Sequence, residues 1–301
     1  MDKSLTLLVD APSLFYRALF STPDSITMPD GTPINAAYGF LRMLARLIGD
    51  QQPDYIACAD DTDWRPTWRV ELIDSYKAAR AEPDSPQEQA EDKLAPQVPV
   101  IYSLLEDCGV KVVGNPDYEA EDVIGTLAAR APGRVGIFSG DRDLFQLVED
   151  PRCWVLYPIR GVSKIDVIDE AYIESRYGIP GRKYADFATM RGDPSDGLPG
   201  VRGIGDKLAA SLLAKYGSLE KIITEAESGT QGVPIAKVRA DLDYVKRARK
   251  VVKIATDLPI PETDLTRPRE VPEDKVRAAA KRWGVENPIR ALIAALKGEP
   301  T

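Results

Sequence analysis

Acidic residues recur between Asp117 and Asp143 at a spacing that can build a metal site. Glu119 and Asp122 lie three residues apart and share one face of a helix, with Glu121 at its edge. Asp141 and Asp143 follow an apolar strand and its Ser-Gly turn, so helix and strand can bring all five acids to one point. Carboxylates crowded together repel unless cations sit among them, and a ligand set made only of oxygens favours the hard ions Mg²⁺ or Mn²⁺. Taken singly, Glu119 and Glu121 read as acids at the positive end of a helix, and Asp141-Arg-Asp143 as a turn. Four further acids weaken that reading. Asp10 and Asp60 each end an apolar strand, and Asp193 and Asp196 stand together in Gly192-Asp-Pro-Ser-Asp196.

The rest of the composition narrows the chemistry. The 301-residue chain has no histidine, which excludes Ser-His-Asp and Cys-His nucleophilic sites and a histidine general base. Cys58, Cys108 and Cys153 sit singly in apolar contexts and read as reduced core residues. The N-terminal apolar run is too short for a signal peptide and no later run spans a bilayer, so the expectation is a cytoplasmic protein with no membrane partner. A net charge of −8 argues against a nucleic-acid partner, but setting aside the nine nominated carboxylates leaves the remainder near neutral.

The elements that must position these acids follow from apolar patterning. Buried strands are predicted at 5–9, 55–59, 110–113, 134–139 and 153–157, alternating with helices at 13–20, 36–48 and 101–108, which gives a parallel α/β sheet. In such a sheet functional groups gather at the carboxyl ends of the strands, where Asp10 falls. Asp60 is preferred to Asp61 because it directly ends its strand. Residues 1–175 form the expected α/β core and residues 176–301 a helical region packed on it. Within the core, Trp64 to Arg69 and Ser75-Tyr-Lys-Ala-Ala-Arg80 are basic and aromatic, and 81–99 is rich in Pro, Glu and Gln and predicts a mobile stretch. Gly200 to Lys207 is a glycine-rich turn opening a helix at 208–215, able to offer backbone amides to phosphate.

In order along the chain come Asp10 with Tyr16-Arg17, the strand ending at Asp60, Ser75 to Arg80, Tyr118 to Asp122, Gly140 to Asp143, Gly192 to Asp196, and Gly203-Ile-Gly205. This series resembles bacterial 5′ nucleases and is similar to the 5′-to-3′ exonuclease domain of DNA polymerase I, over about residues 5–258. No polymerase sequence follows residue 301, which fits either a free-standing nuclease or an excised domain. The resemblance implies a PIN-like parallel sheet flanked by helices, a helical arch at about 64–99, and a C-terminal helix–three-turn–helix DNA-binding region at about 180–216. It implies two or more Mg²⁺ or Mn²⁺ ions, with Asp10, Asp60, Glu119 and Glu121 nearer one, Asp141, Asp143, Asp193 and Asp196 at the other, and Asp122 between. Tyr76, Lys77 and Arg80 would stand at the arch base, the two cations on the scissile phosphate. Arg17, Arg69, Gly203, Gly205 and Lys207 would meet DNA, and carbonyls of Val201 and Ile204 would hold a monovalent ion, K⁺.

The implied partner is branched or flapped DNA, including RNA/DNA hybrid ends, handled by a monomer in replication and repair. Three positions depart from the family pattern: Glu121 for Asp, Gly197 for Asn, and Ala11 for Gly. In the implied mechanism the ions activate a water and stabilise the attacking and leaving oxygens. Two other readings remain at this stage, a metal-dependent phosphatase using Asp141-x-Asp143 and a non-catalytic binder of branched nucleic acid.

Overall fold

A computed structural model describes residues 2–299. Six strands, β1 (Leu5–Asp10), β2 (Tyr55–Ala59), β3 (Lys111–Val113), β4 (Arg134–Phe138), β5 (Cys153–Arg160) and β6 (Lys164–Ile168), form one sheet in the order β3-β2-β1-β4-β5-β6. The first five pair in parallel as expected. The antiparallel edge strand β6 was not legible: only Ile168 of its five residues is buried, so no alternation marks it.

Helices α1 (Ala11–Ser21), α2 (Asn35–Gln51), α3 (Thr67–Leu72), α4 (Pro86–Leu94), α5 (Val98–Asp107) and α6 (Ala120–Arg130) connect the strands. Beyond them follow α7 (Glu170–Tyr177), α8 (Tyr184–Arg191), α9 (Asp206–Tyr216), α10 (Leu219–Glu227), α11 (Val233–Ala240), α12 (Leu242–Val252), α13 (Glu273–Trp283) and α14 (Glu286–Lys297). Strand parity divides the core. Leu8, Ala57 and Ala59 face the layer containing α6 and α8, while Leu7, Val9 and Cys58 face the layer containing α1, α2 and α5. The sheet is thus covered on both faces, which explains its uninterrupted apolar strands. No helix among the described residues is long and apolar enough to cross a membrane. The three cysteines are buried and unpaired with one another.

One expectation is corrected. The stretch 81–99 carries a packed helix rather than an unpacked connection, because α4 borrows a core: Ser85 Oγ accepts the Glu88 amide at 3.1 Å, Pro86 opens the helix, and Ala90 and Leu94 are buried with the α1–α2 layer. The last two helices pack on the α/β core, where Val276, Ile289, Leu292 and Leu296 are buried against the α2 and α5 side. Leu292→Ala, at a fully buried position, should therefore cost about 2–5 kcal/mol in denaturant unfolding. A loss below about 1 kcal/mol would mean that α14 is a surface appendage.

Candidate active site

The strand ends bring the acids together, and side chains lace the ends to one another. Asp10 closes β1, caps α1 by accepting the Ser13 amide at 3.1 Å, and accepts the Ser139 hydroxyl from the end of β4. The same Ser139 oxygen accepts the Asp141 amide at 2.9 Å, and Asp141 in turn accepts the Asp143 amide at 2.8 Å. Glu119 is the N-cap residue of α6, with Glu121 and Asp122 in its first turn, where the helix dipole favours negative charge. One carboxylate oxygen each from Glu121, Asp141 and Asp143 lies within 4.8 Å of the others. They open on a cleft of about 1080 Å³ also lined by Asp10, Asp60, Asp61, Lys77, Arg80, Asp193 and Asp196.

Behind this group lies a fully buried arginine. Arg69 Nη1 donates to Glu119 at 2.6 Å and Glu121 at 2.8 Å, and Nη2 donates to Asp122 at 2.9 Å. Its guanidinium also sits 5.1 Å from the Trp68 ring centroid and 5.8 Å from that of Tyr76. This corrects the expectation that Arg69 meets DNA: with no exposed surface, it is the internal counter-ion of the α6 acids. Tyr76 is buried too, donating to Glu119 at 2.6 Å, so its ring cannot stack on a base. Lys77 Nζ pairs with the other Glu119 oxygen, and Arg80 pairs with Asp196 and donates to the Ser195 carbonyl at 3.2 Å.

The expected grouping of acids changes in three places. Glu121 joins Asp141 and Asp143 rather than Asp10. Asp122 is turned away from the cleft, held by Arg69 and by the Ala255 amide at 2.8 Å, so it does not bridge between ion positions. Asp60 takes the Tyr102 hydroxyl, whereas Asp61 accepts the Ala120 amide at 2.6 Å and feels the charges of Lys77, Glu119 and Asp10. Parity explains this last difference. Ala57 and Ala59 face the α6 layer, so the alternation puts residue 60 with Tyr102 and residue 61 back toward α6. Asp193 stays at the cleft edge, accepting the Ser195 amide at 2.9 Å with Arg191 at 3.6 Å.

Burial raises the pKa of Asp10, Glu121, Asp143 and Asp196, reinforced at Asp143 by the neighbouring charge of Asp141. Burial and Asp196 push Asp141 up to about 6, and burial pushes Asp61 up to about 7 despite Lys77. Glu119 goes the other way: burial opposes ionisation, but Lys77 and Arg69 outweigh it and hold the carboxyl below its usual range. An oxygen-only donor set whose ionised form lacks enough protein cations fits divalent metal ions.

Arg17 is half-buried beside Gly140 of the cleft lining, its Nε without a hydrogen-bond partner among the described residues. The turn from Gly200 to Lys207 has Gly200 at φ +69° and Gly203 at φ +75°, conformations that favour glycine. Val201 and Ile204 are buried, the Val201 carbonyl accepting the Ile204 amide at 2.9 Å, while Gly205 caps α9 and Lys207 is exposed. Lys237 Nζ donates to the Gly203 carbonyl at 2.7 Å. No local spacing in the sequence could have signalled that lysine, which arrives from α11.

Carboxylates converging at the ends of parallel strands, beside a lysine and an arginine, define a metal-dependent hydrolase of phosphate esters. The family described as 5′-3′ exonuclease, N-terminal resolvase-like domain, matches residues 5–178, and the 5′-3′ exonuclease C-terminal SAM fold matches residues 179–273. The chain belongs to the 5′-3′ exonuclease family. It is 45% identical over 300 residues to a 5′-3′ exonuclease of Streptomyces coelicolor, covering 96% of this chain and 99% of that protein. It is 37% identical over 265 residues to DNA polymerase I of Mycobacterium tuberculosis, covering 87% of this chain and 28% of that protein. Its fold is shared by the bacteriophage T5 D15 protein co-crystallised with metal ions, with a TM-score of 0.65, 13% identity, and 97% and 98% of the two chains covered. The catalytic core of Rad2 in complex with DNA substrate has a TM-score of 0.60 at 18% identity, over 97% of this chain and 93% of that one.

The raised carboxyl pKa values predict a pH-dependent stability. A group whose folded pKa exceeds its ordinary 3.8 stabilises the fold fully below that value and loses the contribution as pH rises through about 6 for Asp141 and about 7 for Asp61. The melting temperature of the metal-free chain should accordingly fall between about pH 4 and pH 8, and saturating Mg²⁺ should raise it most at the upper end. A flat profile with no response to Mg²⁺ would contradict the electrostatics described.

Proposed function

We propose that the chain is a divalent-metal-dependent nuclease that hydrolyses phosphodiesters at 5′ flaps and 5′ ends where single strand meets duplex, as a monomer acting in replication and repair. The convergence of Glu121, Asp141 and Asp143 on one point of a cleft that also holds Lys77 and Arg80 carries this reading. Mg²⁺ or Mn²⁺ held by these acids with Asp10, Asp61, Asp193 and Asp196 would supply an activated water and charge stabilisation. The chain's own part is to position and neutralise. Glu119 fixes Lys77, and Asp196 fixes Arg80, so that both cations border the path of a phosphate. Burial of Arg69 and Tyr76 behind Glu119 keeps that carboxylate from swinging.

The bacteriophage T5 D15 flap endonuclease in complex with DNA and metal ions shares the fold, and this likeness supports flapped DNA as the substrate. RNA/DNA hybrid ends fit the same cleft chemistry, because phosphate contacts do not read bases. The Gly200–Lys207 turn would hold the duplex backbone. Cationic charge there comes from Lys207 and from Lys237 on the Gly203 carbonyl, with K⁺ on the Val201 and Ile204 carbonyls as an addition. Gly203→Val and Lys207→Ala should each weaken duplex binding, measured by fluorescence anisotropy, while leaving Mn²⁺ affinity unchanged. Unaltered duplex affinity in both would make the turn purely structural.

The direct assay incubates a 5′-labelled flap duplex with Mg²⁺, with and without chelator. Release of short labelled oligonucleotides only with Mg²⁺ is expected; free inorganic phosphate, or a shifted but uncut duplex, would contradict the reading. Replacing Asp141 and Asp143 together by Ala should lower cleavage by roughly 10³-fold or more while DNA binding persists. Asp61→Ala should damage cleavage far more than Asp60→Ala. The reverse order would return the metal role to Asp60.

A further inference from the structure

Lys77 and Arg80 follow α3, Lys77 as the residue that opens the short 3₁₀ turn Ala78–Ala81 and Arg80 within that turn. Lys77 itself has φ +49° and ψ 22°, a left-handed conformation unfavourable for a residue with a side chain. Such strain persists only where the surroundings over-determine it. Here two sets of contacts do so. From one side Arg65 reaches across the segment, its Nε donating to the Tyr76 carbonyl at 2.7 Å and its Nη2 to the Asp74 carbonyl at 3.4 Å.

From the other side the acidic turn that follows α8 grips the same backbone. The Lys77 amide donates to the Asp196 carbonyl at 2.9 Å, and Ser75 Oγ donates to the Gly197 carbonyl at 2.7 Å. The turn is itself closed, Asp193 and Leu198 exchanging amide hydrogen bonds of 2.9 and 2.8 Å. Gly197 is where this contact becomes closest. A Cβ at that position would lie 1.9 Å from the Ser75 carbonyl oxygen and 3.4 Å from the Lys77 amide nitrogen. Its φ of +70° would also suit Asn, the residue usual in the family, so conformation alone does not demand glycine. Proximity does. Any side chain at 197 would drive the Ser75–Lys77 backbone outward, and the atom in the way is main chain, which cannot rotate aside.

We propose that Gly197 and Ser75 form a latch that fixes the backbone of Lys77 against the acidic turn before DNA arrives, making both of them positioning residues for cleavage. The proposal rests on the reading of Lys77 and Arg80 as the phosphate-facing cations. It accounts for glycine at 197, because a close backbone contact takes the place of a side chain. It also joins two parts of the site. Asp196 holds Lys77 through its carbonyl and Arg80 through its carboxylate, so the acid and the two cations move as one body.

The test uses the full chain with a 5′-flap duplex and follows single-turnover rate, flap affinity in chelator, melting temperature, and amide hydrogen exchange of the peptide spanning 74–81. Gly197→Ala should slow single turnover by roughly 10²-fold, the scale on which a small misplacement acts, with affinity retained and exchange at 75–80 accelerated. Ser75→Ala, which removes the hydroxyl without a clash, should slow it roughly 5-fold, and Ser75→Thr should restore the rate. The serine pair decides the matter if Gly197→Ala does not fold. Parental rates and exchange in both Gly197→Ala and Ser75→Ala, alongside a roughly 10²-fold loss in Lys77→Ala, would overturn the latch. If Lys77→Ala cleaves normally, the reading of these cations fails instead, and the exchange data alone judge the latch: acceleration supports it and none overturns it.

Discussion

One buried guanidinium sets the terms for the site. Arg69 has no exposed surface, yet it touches three carboxylates that themselves lie in the first turn and cap of α6. Removing one partner from a buried ionic group leaves an uncompensated charge, typically at a cost of about 3–5 kcal/mol. The arginine and the acids therefore depend on each other, and their contact ties α3 to α6. Because α3 leads directly into the Lys77 segment, the same contact fixes where the cleft's cations begin. Arg247 of α12 adds to this by donating to the Leu72 carbonyl at 2.6 Å, which ties the helical region to the end of α3.

The carboxylates thus fall into two rows with different means of neutralisation. In the rear row, Glu119 and Asp122 are held by Arg69, with Lys77 and Tyr76 also on Glu119. In the front row, Asp10, Asp141 and Asp143 face one another with little protein cation between them, and burial raises the pKa of each. Glu121 belongs to both, touching Arg69 while sharing a small volume with Asp141 and Asp143. A rear row neutralised by the chain and a front row that needs external cations is a division of labour. The first row gives rigidity in the absence of ions, and the second gives them a place.

The front row was largely legible in the sequence because a parallel sheet has only one place to put residues that end its strands. Asp10 and the acids after β4 were found by that rule. The choice between Asp60 and Asp61 weighed proximity to the strand end above the alternation of side chains, which turns Asp60 to Tyr102 and Asp61 to the Ala120 amide. Arg69 read as a surface cation because its sequence neighbours are polar and aromatic; its partners lie 50 and more residues away, where no local pattern reaches. The same blindness to distance made 81–99 look mobile, since its thin apolar stripe is completed by α1 and α2 rather than by itself. Nor could the sequence say which part of the core α13 and α14 cover, because an amphipathic helix announces a buried face but not what covers it.

The most direct measurement is anomalous diffraction from crystals of this chain grown with Mn²⁺. The division into two rows predicts anomalous density among Glu121, Asp141 and Asp143, with the Arg69 guanidinium still within hydrogen-bond distance of Glu119 and Asp122. Density at the position of that guanidinium, with Arg69 swung out into solvent, would contradict it.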